Sequence, residues 1–363
     1  MVKWHVFLCF IVVKIIEIRG VKKMRYIKLF PIVLLCLLLT TNSCTEWFSS
    51  GANGGMESDT TFSLVVREWS KRINKYPKND EYRHSRGLEL AKSNKFDLAL
   101  IDVEKAIELN PTNEKYYLSR ADIFMAKDET KKALESYQKA VEVNPKSEDA
   151  LLQLGRFYLF VRQFDNSKST LKKLVAVNPA HLDGHFYQGM LYKEMGDTAA
   201  AIAEFDQAVQ IDVYHYNSLI QLGQLYSEQN NPIGLSYFKN ATLVDEFSDE
   251  AWYGIGFLYQ KLGQFDSAIV NYQRATDINP LHYFAFYNTG YILFSQNNWD
   301  RAIEHFRIAV KFAPEFVKAH YMLGLSNVGK GNNEEAVIHF ERCLQLDPNY
   351  DMAKEALKRI SES

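Results

Sequence analysis

The sequence predicts an all-α chain of stacked antiparallel helix pairs, and two observations carry that expectation. Seven of the nine prolines, Pro77, Pro111, Pro145, Pro179, Pro280, Pro314 and Pro348, lie 34 residues apart except across one gap of 101, which holds two further periods, one of them a residue short. A fixed period of that size means copies of one small supersecondary unit. Small residues fall on the same lattice. Ten residues after each proline, or after its stand-ins Val213 and Glu246, comes Gly87, Ala121, Gly155, Gly189, Gly223, Gly256, Gly290 or Gly324. Twelve residues further on, or eleven across the deletion in the case of Gly234, comes a second small row, Ala99, Ala133, Ser167, Ala201, Gly234, Ala268, Ala302 and Ala336. A third row reads Ala106, Ala140, Leu174, Ala208, Ala241, Ala275, Ala309 and Cys343, with a large residue ahead of most of them, as in Phe205, Phe238, Tyr272, Phe306 and Phe340. Small residues at helical spacing let two helices approach closely, and large ones fill the holes between them.

The pattern resembles the tetratricopeptide repeat over residues 80–350. Trp252, Ile255, Gly256, Tyr259, Ala268, Tyr272, Ala275 and Pro280 occupy that family's signature positions. The resemblance implies a right-handed superhelical solenoid of eight repeats, at 80–113, 114–147, 148–181, 182–215, 216–248, 249–282, 283–316 and 317–350. The deletion falls near Asn230, Asn231 and Pro232, where a tighter turn is expected. Repeat 3, with Ser167, Leu171 and Leu174 off the usual pattern, is expected to pack less regularly. Length alone would favour two globular domains, because one compact core stops growing at roughly 250–300 residues. A solenoid escapes that limit, since each repeat needs only its neighbours, and one elongated domain is expected.

The elements before and after the repeats follow in order. From Met24 the chain reads MRYIKLFPIVLLCLLLTTNSC, with basic Arg25 and Lys28, an apolar run to Leu39, small polar residues and then Cys44. This layout is that of an export signal, with an apolar run shorter than a spanning helix of about 20 residues. It resembles the lipobox of bacterial lipoproteins, which implies lipidation at Cys44. Ser43 fits that pattern and Thr41 departs from it, so a plain secretory signal or an uncleaved anchor stays open. Residues 1–23 read as an extension upstream of a start at Met24. Residues 44–58, rich in Gly and Ser, read as a flexible tether. Within 59–79, Phe62, Val66, Trp69, Ile73 and Tyr76 stand at helical spacing and read as an N-terminal capping helix, with Trp69 at the large-residue position. Residues 351–363, with Leu357 and Ile360 among charged neighbours, read as the C-terminal cap.

Charge and motifs narrow the function. Residues 1–43 hold seven Lys or Arg and one Glu, which leaves 35 basic and 43 acidic side chains beyond them, a net of −8. That balance argues against nucleic acid, whose phosphates need a basic face. Cys343 sits at a small-residue packing position and reads as a buried, inert thiol. The run GLSNVGKG at 324–331 matches a phosphate loop until its last place but has no strand ahead of it. His181 and His185 are a weak metal pair lacking a third ligand. His181, His215 and His282 share the last position before a first helix, where an imidazole caps backbone N–H groups; a pH-responsive row is the alternative. No enzyme, cofactor or metal site is expected.

The resemblance implies instead that the first helix of each pair lines a concave binding face, with positions five, nine and twelve facing inward together. In repeats 6 to 8 these are Tyr253, Phe257 and Gln260; Tyr287, Tyr291 and Phe294; and Tyr321, Leu325 and Val328. Repeats 1 to 3 mix in His84, Asp122 and Arg156. Tyr253, Phe257, Tyr287, Tyr291, Phe294, Tyr321 and Leu325 therefore form the candidate groove for a protein or peptide. Plain packing between neighbouring repeats and an oligomer or lattice contact are the other readings. No three consecutive repeats supply the Lys and Asn set of the family's dicarboxylate clamp. The resulting expectation is a non-enzymatic adaptor lipoprotein of the bacterial cell envelope, on the outer membrane. A glycan- or lipid-binding protein using the same aromatic face is the alternative.

Overall fold

The computed structural model describes Met56, Asp59 and residues 61–362, and among them it contains eighteen α-helices and no strand. The export signal, Cys44 and most of the tether lie outside the described residues. The chain divides into two compact units, one ending at Ser136 and the other starting at Tyr137.

The first unit holds α1 (Leu64–Lys75), α2 (Asp80–Lys92), α3 (Phe96–Leu109), α4 (Glu114–Ala126) and the start of α5 (Thr130–Val143). Ser63 caps α1 by accepting from the Val66 N–H, and Asn79 caps α2 by accepting from the Tyr82 N–H. Each such cap satisfies one of the donors a helix start leaves over. The capping helix buries Val66, Ser70 and Ile73, whereas Trp69 is half-buried, 5.7 Å from the Tyr82 ring and beneath the Arg72 guanidinium. Trp69 therefore does not fill the large-residue place expected from the lattice. The face of α1 is set instead by a buried polar clasp. Ser70 Oγ accepts from Arg86 Nη1 at 3.0 Å, and Arg86 donates to both oxygens of Asp102 at 2.6 and 2.8 Å. Arg83 lies 3.4 Å from the same carboxylate. All four side chains are at most 5 % exposed.

The second unit continues through α6 (Glu148–Phe160), α7 (Phe164–Val177), α8 (Leu182–Glu194), α9 (Thr198–Ile211), α10 (Tyr216–Glu228), α11 (Gly234–Val244), α12 (Asp249–Lys261), α13 (Phe265–Ile278), α14 (Tyr283–Ser295), α15 (Trp299–Phe312), α16 (Val317–Lys330), α17 (Asn333–Leu346) and α18 (Asp351–Glu362). Each helix packs on the next through short turns, so successive helices run antiparallel. The glycine lattice explains how closely they pack. A Cβ on Gly189, Gly223, Gly256, Gly290 or Gly324 would fall 2.5–2.9 Å from the ring of Phe205, Phe238, Tyr272, Phe306 or Phe340 in the paired helix. Those five rings are at most 1 % exposed.

Two details of the sequence expectation are corrected. Repeat 3 packs as regularly as the others: α6 and α7 have 13 and 14 residues, and Ser167, Leu171 and Leu174 are fully buried. Leu171 fills the space opposite Gly155 that a ring fills elsewhere, and Ser167 Oγ donates to the Gly155 carbonyl at 2.9 Å. The deletion in repeat 5 does not tighten a turn. It removes the first turn of a helix: α11 has 11 residues where its counterparts have 14, and five residues, 229–233, link it to α10. Asn231, Pro232 and Ile233 instead form a turn ahead of the helix, in which Asn231 Oδ1 accepts from the Ile233 N–H at 3.0 Å.

One feature of the turns went unread in the sequence. The residues with positive φ among those described are Asn94, Asp128, Arg162, Gly196, Asn230, Gly263, Asn297 and Gly331, one per repeat, each ending a first helix in the left-handed region. Asn, Asp and Gly tolerate that region, and Arg does not.

Two outcomes follow. Asp102→Ala leaves two buried guanidinium groups without their carboxylate, so urea unfolding of the first unit should lose about 3–5 kcal/mol. Arg162→Gly relieves the one ill-suited left-handed residue and should raise stability by about 0.5–1 kcal/mol, read as an upward shift of the unfolding midpoint.

Candidate functional site

The structure gives the position-five tyrosines a packing role. Tyr253 sits between Tyr272 of its own repeat, at 5.5 Å between ring centroids, and His282, at 4.6 Å, where the next repeat begins. Tyr287 lies in the same way between Phe306 at 5.7 Å and Phe316 at 4.9 Å, and Tyr321 between Phe340 at 5.7 Å and Tyr350 at 5.4 Å. Each such pair is worth about 0.5–1.5 kcal/mol beyond the area it buries. Burial raises the pKa of all three phenols, that of Tyr287 to about 12, so they stay neutral. Their hydroxyls act as polar handles: Asn288 Nδ2 donates to the Tyr253 hydroxyl at 3.0 Å across the repeat boundary. Gln260, at position twelve, accepts from the Tyr272 hydroxyl at 2.6 Å.

Position nine is different. Phe257 is 36 % exposed and Tyr291 46 % exposed. They occupy the same register on α12 and α14, which pack against each other. Lys261 Nζ lies 5.6 Å from the Phe257 ring, and Phe294 is held edge-on by Trp299 at 5.1 Å. The next position-nine residue, Leu325, lies in a cleft of about 600 Å³ between α16 and α18. Tyr321, Leu325 and Val328 form one wall, and Met352, Ala356 and Ile360 the other. Glu355 and Arg359 form an ion pair at this cleft. Of the seven sequence-derived groove residues, Phe257 and Tyr291 thus present open apolar surface, Leu325 and Tyr321 line the cleft, and Tyr253, Tyr287 and Phe294 are engaged in packing. The α18 wall was missed in the sequence, although a signal was there: counted on the same lattice, α18 is a ninth first helix with Glu355 and Arg359 at positions five and nine.

Towards repeats 4 and 5 the same face is polar. Lys193 Nζ donates to Gln221 Oε1 at 2.6 Å, and Gln224 Nε2 donates to Glu250 Oε1 at 3.3 Å. Lys261 Nζ donates to the Ser227 carbonyl at 2.7 Å. In the first unit, His84 Nε2 is 2.8 Å from Ser119 Oγ and its ring is 4.6 Å from Tyr116.

The remaining sequence candidates fall into packing and capping positions. Residues 324–331 lie in α16 and its left-handed end at Gly331, and a Cβ on Gly329 would meet Trp299 at 2.8 Å, so no loop is free to cradle a phosphate. Cys343 is fully buried, and burial pushes its thiol up to about 12. His181 and His282 do cap helix starts, accepting from the Gly184 and Ala285 N–H groups at 3.0 and 3.3 Å. His215 instead pairs with Ser218 Oγ at 2.8 Å. His185 is bound to Glu204 at 2.8 Å and to the Pro179 carbonyl at 3.0 Å, so it and His181 serve separate contacts. The equivalent contact in repeat 8 joins two imidazoles. His320 Nδ1 faces His339 Nδ1 at 3.5 Å, and His320 Nε2 donates to the Pro314 carbonyl at 3.1 Å.

Tetratricopeptide repeat models match residues 80–113, 152–213, 249–281 and 317–350, and a TPR repeat model matches 121–159 and 290–331. Together they span more than half of the chain, and with eighteen helices on one lattice they show that it belongs to the tetratricopeptide repeat family. Among solved structures, a tetratricopeptide repeat protein from Parabacteroides merdae is 17 % identical with a TM-score of 0.52, covering 69 % of this chain and 99 % of its own. The pilF protein of Pseudomonas aeruginosa is 14 % identical with a TM-score of 0.51, covering 58 % and 97 %. A MamA structure is 27 % identical over 46 % of this chain and 92 % of its own, with a TM-score of 0.42. No curated protein matches the chain.

Five histidines set a pH dependence: burial lowers the pKa of His84, His215 and His305 as well as that of the His320 and His339 pair. Burial lowers the pKa of His320, with Arg342 adding to the effect against the Pro314 carbonyl. Burial also lowers that of His339, with His320 and Arg307 adding to it against Glu335. A depressed folded-state value means that the unfolded chain binds more protons, so stability is held above the unfolded value of about 6.5 and lost as pH falls below it. Melting followed by circular dichroism should be flat from pH 8 to 7 and fall below, by up to about 1.4 kcal/mol per pH unit for each group. His339→Gln should shallow the fall.

Proposed function

We propose that this chain is a non-enzymatic adaptor that holds a partner protein against the first-helix face of repeats 6 to 8. Tetratricopeptide repeat proteins bind protein or peptide partners, and that family membership is the background of the reading. The observation that carries it is the open aromatic surface of Phe257 and Tyr291 in register on α12 and α14, followed by the apolar cleft between α16 and α18. Partly exposed aromatic side chains of this kind anchor interfaces, because they bury a large area at little cost in side-chain entropy. A cleft of about 600 Å³ with one ion pair at its edge suits a bulky apolar side chain of the partner.

The adaptor is further proposed to be a lipoprotein of the bacterial envelope, anchored through Cys44 and on the outer membrane. Support comes from the sequence at 24–44. Among the described residues no helix is long and apolar enough to cross a membrane.

Two measurements test this. Partner capture from envelope extracts should fall by at least about tenfold with Phe257→Ala combined with Tyr291→Ala; retention of every partner by that double variant sinks the groove. Cys44→Ala should move the protein from the membrane fraction to the soluble one, and unchanged fractionation sinks the anchor.

A further inference from the structure

Two residues before the groove's first helix, and repeated on either side of it, is a second apolar feature away from positions five, nine and twelve. The residue after each lattice proline or its stand-in is Lys78, Thr112, Lys146, Ala180, Tyr214, Phe247, Leu281, Glu315 or Asn349. In three successive repeats, 4 to 6, it is large and apolar, and Tyr214, Phe247 and Leu281 are 67, 72 and 63 % exposed. These are the turns that join one helix pair to the next.

The turns are built rigidly. The backbone N–H of Tyr214 donates to Asp212 Oδ1 at 2.9 Å, that of Phe247 to Asp245 Oδ1 at 3.0 Å, and that of Leu281 to Asn279 Oδ1 at 3.0 Å. The following N–H in each turn, of His215, Ser248 and His282, returns to the carbonyl of the same Asp or Asn. Each apolar side chain is therefore held outward on a preorganised turn, so a partner meets it without ordering a loop.

In sequence, the charges next to these three turns are of one sign. Residues 209–217, 243–251 and 277–286, which contain the three turns, carry Asp212, Asp245, Glu246, Asp249, Glu250 and Asp277, and no Lys or Arg. Asp245, Glu246, Glu250 and Asp277 are exposed. Apolar contacts ringed by carboxylates complement a segment that places Lys or Arg around an apolar stripe. The same carboxylates oppose an anionic bilayer, whose surface attracts polybasic and not acidic faces.

We propose that the edge formed by the turns of repeats 4 to 6 docks a basic amphipathic segment of another protein, its apolar side chains resting on Tyr214, Phe247 and Leu281 and its cations on Glu246, Glu250 and their acidic neighbours. This edge is distinct from the aromatic groove of repeats 6 to 8, although Glu250 also accepts from Gln224 on the polar stretch of the first-helix face. A chain with both surfaces can hold two segments at once.

The test places a photo-reactive benzoylphenylalanine at Phe247 in the full-length chain, in its own cells, and sequences whatever it captures. The expected product is a peptide of a different protein with a Lys and Arg surplus and apolar residues at helical spacing. Its yield should fall about tenfold with Glu246→Lys combined with Glu250→Lys, and likewise with Tyr214→Ser combined with Leu281→Ser. It should persist with Phe257→Ala combined with Tyr291→Ala, which separates this edge from the groove. All these side chains except Tyr291 and Phe257 lie on turns or at a helix start, and melting curves matching the parent establish that the variants fold. An acidic or neutral captured peptide, a lipid adduct, a second copy of this chain, no adduct, or a yield indifferent to the charge reversal would each overturn the proposal.

Discussion

The packing of a ring into the space of a missing side chain governs this molecule. Opposite Gly189, Gly223, Gly256, Gly290 and Gly324, the ring of the paired helix stands where a Cβ would be. A glycine inside a helix costs about 0.5–1 kcal/mol relative to alanine. The close approach it permits buries an entire ring and brings two helix backbones together, and one such contact recurs in each of repeats 4 to 8. Where the ring is replaced by Leu171, the leucine takes the same space and the repeat keeps its geometry. Because that contact fixes how each pair closes, the remaining positions of the first helix are sorted by default into those that face the next repeat and those that do not.

Position five faces both. Tyr253, Tyr287 and Tyr321 reach from the ring of their own pair to an aromatic or histidine at the last position of the repeat, just before the next first helix. They couple neighbours, and that work leaves little of their surface for a ligand. Position nine lies one turn further along, and in repeats 6 and 7 its side chains, Phe257 and Tyr291, are left as open surface. The same division explains why α18 matters. It supplies the neighbour that repeat 8 would otherwise lack, and the imperfect fit of a short amphipathic helix against Tyr321, Leu325 and Val328 leaves a cleft. Towards repeats 4 and 5 the amides and lysines bond to one another, and the face is polar there.

Much of this was legible in the primary structure. Proline, glycine and alanine rows recur because each serves one geometric duty per repeat, so their spacing reports the helix pairs directly. The left-handed residues were equally periodic but harder to read, because Asn, Asp, Gly and even Arg162 all fill the place. Histidines at one lattice position proved to be unlike in role: His181 and His282 cap backbone, while His215 turns to Ser218. A shared position fixes where a side chain starts, and its neighbours decide what it bonds. The shortened α11 shows the same limit. A missing residue is visible in the spacing, yet whether a turn or a helix absorbs it depends on the proline and glycine around it.

The sequence by itself determined the helix pairs, their number in the periodic region and which residues are small where helices meet, since periodicity and steric size act locally and repeat. Only the tertiary structure decided which aromatics are spent on packing and which remain open, because exposure at Tyr253 and at Phe257 depends on what the next repeat places beside them. It also decided the buried clasp of Ser70, Arg83, Arg86 and Asp102, whose members come from three helices. Charges apart in sequence become one network only when folding removes the water between them.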